Sequence, residues 1–344
     1  MILRVCRWMA CVVLMVAGFA TAHAGCADQP RLLGVNLSGA EFGQKHLPGV
    51  LNKDYVYPAL ADLSYFQRQG MNLVRLPFRW ERVQRQLYGP LDATELVQLR
   101  TVIAWAEQAN VCVLLDLHNF GTYHGKALGS SELPVPALID VWKRLHQEFP
   151  DTRWVAYGLM NEPSALPVRQ WMALAQETVL ALRKAGVKNL LMVASGRWSG
   201  AHEWEKAFDG VSAAIAFAAF KDPLNNFAIE LHQYADSNFS GMQKTCVDAR
   251  RLRDVMDRVT RWALREKKRL FLGEFGVPNS PECLAALAAM LDGTQNADAW
   301  MGWAYWSAGA WWGNYPLSIQ PGTVPAPAQL QVLRSYLPTS TGTH

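Results

Sequence analysis

Short apolar runs alternate along the chain with longer amphipathic segments. The runs are RLLGVNL (31–37), MNLVRLPF (71–78), VCVLLDLH (111–118), VAYGLMNE (155–162), NLLMVASG (189–196), NFAIELHQY (226–234), RLFLGEFG (269–276) and WMGWAYWS (300–307). Each is unbroken and rich in β-branched or aromatic residues, the pattern of a strand buried on both faces. Helical patterns lie between them at 57–69, 92–110, 134–148, 168–184, 247–267 and 280–291, with a last one at 327–336. Asp92 is placed to cap the second helix, with Glu95 three residues on as in a capping box. Pro327 suits a first helical position, where no intrahelical N–H partner is needed. The pattern is weakest between the fifth and sixth runs.

Eight strands alternating with helices predict a parallel sheet. Closed on itself, such a sheet is a (β/α)8 barrel, the TIM-barrel architecture of the α/β class. The rival is an open doubly wound sheet. No GxGxxG turn follows the first run, and the count of eight favours closure.

The first residues read differently. Arg4 and Arg7 precede an apolar stretch at 9–20, and Ala22 and Ala24 supply small residues for a cleavage site. This predicts a secretory signal peptide at 1–24 and a single catalytic domain at 25–344. A membrane anchor is the alternative, but the stretch is well short of the ~20 residues a span needs. Lipidation of Cys26 is a further alternative, and His23 is a poor residue three positions before such a cysteine. The net charge of +4 includes Arg4 and Arg7, and no basic run follows, so nothing points to nucleic acid. Beyond the signal lie Cys26, Cys112, Cys246 and Cys283. Export permits disulfides. Cys246 and Cys283 fall in polar, loop-like sequence and are the expected pair, whereas Cys112, inside VCVLLDL, is expected to be a buried free thiol. No CxxC pair supports a zinc site.

Active sites of (β/α)8 barrels lie at the C-terminal ends of the strands. Here those ends carry Arg75, Asp116-Leu117-His118-Asn119, Asn161-Glu162, His232-Gln233-Tyr234, Glu274 and Trp306. One glutamate after a strand is ordinarily a solvated loop residue or a helix cap; six convergent polar or aromatic ends are not explained that way. The fourth and seventh strands oppose each other in a ring of eight, so Glu162 and Glu274 can face one another. Two facing carboxylates are the minimum equipment for glycoside hydrolysis. The 14 tryptophans fit, because aromatic faces pack on sugar rings, although they also fill cores.

MNEP (160–163), GEFG (273–276), RLPF (75–78), DLHN (116–119) and HQY (232–234) resemble glycoside hydrolase family 5, the cellulase family. GVNLSGAEFG (34–43), HQYADSNFSG (232–241) and SAGAWWGNY (307–315) are similar to its subfamily of secreted bacterial and fungal endo-β-1,4-glucanases. The resemblance covers nearly the whole mature chain. It implies that Glu162 is the general acid/base and Glu274 the nucleophile, with retention. It also implies that Asn161 donates to the sugar 2-hydroxyl and that Tyr234 bonds the nucleophile. His118 and His232 would bind sugar hydroxyls and buttress the acid/base, and Trp306 would form a sugar-stacking floor. Arg75 would keep Glu274 ionised, since a close cation lowers a carboxylate pKa; a structural salt bridge is compatible with that role.

Softer candidates are Trp198, His202 and Trp204 after the fifth strand, and Trp311 and Trp312, which line the cleft or pack beneath it. Glu41 and Tyr123 bind a distal glucose or fix a loop. Phe120 departs from the more usual tyrosine or tryptophan, which touches loop packing and not the chemistry. Neither histidine belongs to an HxH or HExxH spacing, so no metal and no cofactor is expected.

The expected protein is a secreted, monomeric, retaining endo-β-1,4-glucanase acting on cellulose or soluble β-1,4-glucan, without nucleic-acid or membrane partners after signal cleavage. Rivals with the same glutamates are a mixed-linkage β-glucanase, a xyloglucanase and a β-mannanase. From another class, a non-catalytic glucan-binding protein is the alternative.

Overall fold

The eight runs form eight parallel strands in the computed structural model, which describes residues 26–27, 29–322 and 326–338. The expected signal segment lies outside the described residues. The strands are β1 (Leu32–Leu37), β2 (Leu73–Phe78), β3 (Cys112–Leu117), β4 (Val155–Gly158), β5 (Leu191–Ala194), β6 (Phe227–His232), β7 (Leu270–Glu274) and β8 (Trp300–Ala308). Every strand residue is buried, which is why the runs are continuous and not alternating. Each strand pairs with its sequence neighbours, and β8 returns to β1 from Leu32↔Gly302 to Leu37↔Ala308. That pairing closes the barrel and removes the open-sheet rival.

The surrounding helices are α1 (Leu60–Arg68), α2 (Ala93–Ala109), α3 (Val135–Glu148), α4 (Val168–Lys184), α5 (Ala213–Ala218), α6 (Ala249–Glu266), α7 (Pro281–Gly293) and α8 (Ala328–Arg334). Their buried faces follow helical spacing. In α6, Leu252, Val255, Met256, Val259 and Ala263 face the strands while the arginines and aspartates between them face outward. The short α5, capped by Ser212, occupies the weakly patterned linker. Among the described residues no helix is long and apolar enough to cross a membrane.

Four sequence expectations change. Asp92 caps α2 by accepting from the N–H groups of Thr94 and Glu95, at 2.9 and 3.2 Å. Glu95 does not complete a capping box. Its carboxylate accepts instead from the hydroxyls of Tyr55 and Tyr57, tying the β1–α1 loop to α2. Pro327 is the cap residue, one position before the helix. The β4 ladder ends at Gly158, so Glu162 stands on an extension beyond it.

The fourth change concerns sulfur. Cys246 and Cys283 form the expected disulfide, but Cys112 is not free; it is bonded to Cys26, with Cα atoms 5.4 Å apart. Cys112 opens β3 at the barrel's lower end, where the segment before β1 passes beneath. Its apolar context correctly signalled burial but concealed the partner. A sulfur so bonded is not available for lipidation, the alternative raised for Cys26.

Inside the barrel, side chains change character from bottom to top. Leu32, Leu73, Cys112, Leu114, Ala156, Met192, Ala228 and Phe271 belong to an apolar lower cluster. Further up the same faces stand Asn36, Arg75, Asp116 and Glu230, all buried. The upper layer is the floor of the site.

Candidate active site

Arg75 is the hub. Its side chain is completely buried. Nη1 donates to Glu274 Oε1 at 2.9 Å and to Asn36 Oδ1 at 2.7 Å. Nη2 donates to Asn161 Oδ1 at 2.7 Å and lies 3.1 Å from Asp116 Oδ2. Burial alone would lower the guanidinium pKa, but Asp116, Glu230, Glu274 and Glu162 outweigh it and keep Arg75 charged.

Glu274 ends β7 with its side chain 5% exposed. Arg75 holds one oxygen, and Tyr234 O–H donates to the other at 2.9 Å. Burial and the neighbouring carboxylate hold the Tyr234 phenol far above its ordinary pKa, so it remains a donor.

Glu162 projects from the extension past β4. That extension is fixed by Leu159 N–H to Met192 O and Asn161 N–H to Leu117 O. Glu162 takes a φ of +36°, in the left-handed region that disfavours a side chain. Such local strain persists only where the surroundings impose it. Glu162 Oε1 accepts from His232 Nδ1 at 2.7 Å. Burial raises the Glu162 pKa to about 7; His232 opposes this and the Glu274 charge adds to it. One carboxylate oxygen of Glu162, one of Glu274 and a His232 nitrogen all lie within 4.8 Å of one another.

The two histidines differ. Burial presses His232 toward neutrality, but Glu274, Glu162 and Glu230 reverse this and raise its pKa to about 10. In its doubly protonated form Nδ1–H points at Glu162. His118 is driven down to about 3 by burial and is neutral. Its Nδ1–H donates to Asp116 at 2.8 Å, and its Nε2 lies 3.3 Å from the Asn161 amide. His118 therefore orients Asn161 and does not touch Glu162, contrary to half of its expected role.

Trp306 is 8% exposed and lies parallel to His118, with ring centroids 5.7 Å apart. Trp312 meets it edge-on and in turn stacks on Tyr315. Along the rim, Phe120 joins His118 to Trp198, which is 55% exposed. Trp311 is also exposed.

Several softer candidates belong elsewhere. Trp204 is buried against Trp262 and Phe217, so it has no face for a sugar. Tyr123 is buried with its hydroxyl donating to Gln84 O. His202 packs on Phe239. Glu41 is 3% exposed and accepts from Ser38 O–H and Gly39 N–H, so it fixes the loop after β1 and is not open to a distal glucose. A loop carries no periodicity to say which aromatic faces in.

Two contributors were missed. Asn36 accepts from Arg75 and donates to Gly273 O and Ala304 O across the barrel. Glu230 lies beneath Arg75 and His232. Asn36 is the next-to-last residue of its run and Glu230 lies inside its own, each flanked by apolar residues. The available signal was period two: Glu230 and His232 share one face of β6.

Residues 35–309 match the family model described as Cellulase (glycosyl hydrolase family 5). A protein from Aspergillus oryzae described as a probable endo-β-1,4-glucanase B is 31% identical, covering 94% of this chain and 97% of its own. Among solved structures, XacCel5A in complex with cellopentaose is 45% identical with a TM-score of 0.86, covering 89% of this chain and 99% of its own. The endoglucanase Cel5A of Pseudomonas stutzeri, solved with cellobiose, is 32% identical with a TM-score of 0.81, covering 89% and 92%.

Proposed function

The chain belongs to glycosyl hydrolase family 5, and from that premise we propose that it is an endo-β-1,4-glucanase that cleaves internal glucan bonds with retention, through a covalent glycosyl-Glu274 intermediate. The carrying observation is the approach of the Glu162 and Glu274 carboxylates to within 4.8 Å. An oxygen–oxygen approach of that size supports the ~5–5.5 Å carboxyl separation of retaining enzymes over the ~6.5–9.5 Å by which inverting ones make room for a water.

In the first step Glu274 Oε attacks the anomeric carbon, and the glycosidic C–O bond breaks. Glu162, neutral at its raised pKa, delivers its proton to the leaving oxygen. Arg75 and Tyr234 hold both oxygens of Glu274 and fix the attacking lone pair. Asn161 is held by Arg75 and His118, which leaves its second amide N–H for the sugar 2-hydroxyl. Trp306 offers a face to the sugar on the non-reducing side.

In the second step Glu274 is an uncharged ester. The charge that helped raise the Glu162 pKa is gone, so Glu162 loses its proton more readily and becomes the base for water. Water attacks the anomeric carbon, Glu162 takes its proton, and Glu274 leaves as carboxylate. Two displacements give net retention.

β-1,4-Glucan as substrate is supported by the glucanase relatives and by the cellopentaose bound to XacCel5A. Export by a signal peptide at 1–24 is supported by two disulfides, which persist in oxidising compartments. The test is hydrolysis of carboxymethylcellulose, barley β-glucan, glucomannan, xyloglucan and xylan, with the newly formed anomeric proton followed by NMR. The expected result is preference for the cellulose derivative, with the β-anomer appearing first. An α-anomer first would overturn retention; preference for mannan would overturn the substrate.

A further inference from the structure

Glu230 lies one layer below the reacting groups, on the inward face of β6. It is 1% exposed, and a carboxylate at that depth needs partners. Its Oε1 is 2.8 Å from Arg75 Nε and 3.5 Å from His232 Nε2. These are contacts between charges and not aligned hydrogen bonds, and none of the three atoms has an aligned hydrogen bond elsewhere among the described residues. β7 makes room for the carboxylate: a Cβ at Gly273 would fall 2.1 Å from Glu230 Oε1. The glycine before Glu274 is therefore a notch that Glu230 fills.

We propose that Glu230 is a positioning residue for the acid/base: it keeps His232 doubly protonated, so that Nδ1–H always donates to Glu162 and the acidic proton of Glu162 stays directed at the glycosidic oxygen. The inference rests on the two-glutamate reading above and deepens it.

A neutral imidazole has one N–H. If that hydrogen sat on Nε2, the bare Nδ1 would accept the Glu162 proton and turn it from the substrate. The charged groups around His232 are Arg75 from β2, Asp116 from β3, Glu162 beyond β4, Glu230 on β6 and Glu274 from β7, with the neutral His118 from β3 and Tyr234 nearby. Of the carboxylates touching His232, Glu162 is protonated before reaction and Glu274 is esterified after it. Glu230 alone keeps its charge through both steps. Burial would raise the Glu230 pKa, but Arg75 and His232 outweigh it and hold the group below its ordinary value.

The experiment combines nitrogen-15 NMR of the imidazoles with the pH profile of kcat/KM on carboxymethylcellulose, for the parent protein, Glu230→Gln and Glu230→Asp. In the parent, both His232 nitrogens should carry protons at pH 8. In Glu230→Gln, the second proton should leave at least about one pH unit lower, because a neighbouring anion is gone. The alkaline limb of kcat/KM, set by Glu162, should move to lower pH as well, because the same anion is lost from the cluster that holds the Glu162 proton, and Glu230→Asp, which keeps the charge, should move both back. A neutral His232 in the parent at pH 7 overturns the proposal, as does a folded Glu230→Gln with an unmoved limb. If Glu230→Gln does not fold, the parent spectrum decides alone. Activity persisting in Glu274→Ala would overturn the underlying two-glutamate reading, and the His232 titration would read independently of it.

Discussion

The inward faces of the same strands are apolar at the bottom of the barrel and ionisable at the top. On β2 the step is from Leu73 to Arg75, on β3 from Leu114 to Asp116, and on β6 from Ala228 to Glu230. Each is two residues, or roughly 6.6 Å of strand. Below, Leu32, Leu73, Cys112, Leu114 and Phe271 remove apolar surface from water, which stabilises at about 25 cal/mol per Å². Above, Arg75, Asp116, Glu230 and Glu274 are ionisable groups withdrawn from water and held there by the pairing of Arg75 with the three carboxyls. A buried ion network is weak evidence for stability. On the proposed mechanism the lower layer serves the fold and the upper layer the reaction, so substitutions in each should have separable effects.

The largest separation comes from Glu274→Ala. It removes the proposed nucleophile while leaving Arg75 paired with Asp116 and Glu230, so the barrel should still fold. Loss of a residue that acts as part of a catalytic unit costs on the order of 10⁴–10⁶ in kcat. Reducing-sugar assays beside circular dichroism check this. Residual activity within tenfold of the parent would mean that the upper layer does not carry the chemistry as assigned.

The same two layers explain what was legible in the sequence. Each strand is buried on both faces, so all eight runs stood out, and the ends of those runs carried Arg75, Glu162, His232, Glu274 and Trp306. What was missed lay inside the runs or in the loops. Asn36 and Glu230 are polar residues embedded among apolar ones, visible only by counting alternate positions. Cys112 was legible as buried and not as bonded, because its partner Cys26 is 86 residues away in sequence. Trp204 was misread as a possible sugar contact, and Tyr123 was left open between a sugar and a loop, because an aromatic residue in a loop gives no sign of whether it faces water or core.

The lower layer is tested by replacing Cys26 and Cys112 together with serine. Opening a closure of 86 residues costs about 4–5 kcal/mol in the chain-entropy model. The disulfide lies at the opposite end of the barrel from Glu162 and Glu274, so kcat per folded molecule should be unchanged. Denaturant unfolding and active-site titration measure the two quantities. A fall in kcat of more than a few-fold at equal folded fraction would break the division between layers.

The smallest effect is the pH dependence of stability, and it sharpens the comparison because four of the strongly shifted groups, Glu162, Asp116, His232 and His118, lie at the upper layer. Glu162 and Asp116 have pKa values raised to about 7 from 4.5 and 3.8, mainly by burial. The native state therefore binds more protons than the unfolded chain across that interval, and stability falls as pH rises through it. His232, held against its burial by Glu274, Glu162 and Glu230, is raised to about 10 from 6.5, so its contribution is full below 6.5 and is lost between there and 10. Burial lowers His118 to about 3, which opposes the trend only between pH 3 and 6.5, where stability is lost as pH falls. Above pH 6.5 the upper-layer contributions run one way. The thermal midpoint should fall steadily from pH 6.5 to 10. The Cys26 and Cys112 double variant should lower the whole curve without changing its slope, since neither sulfur titrates in the parent or in the serine variant. Melting curves across that range check both; a midpoint that rises with pH would mean that the upper layer is not the network of raised carboxyls and imidazolium described above.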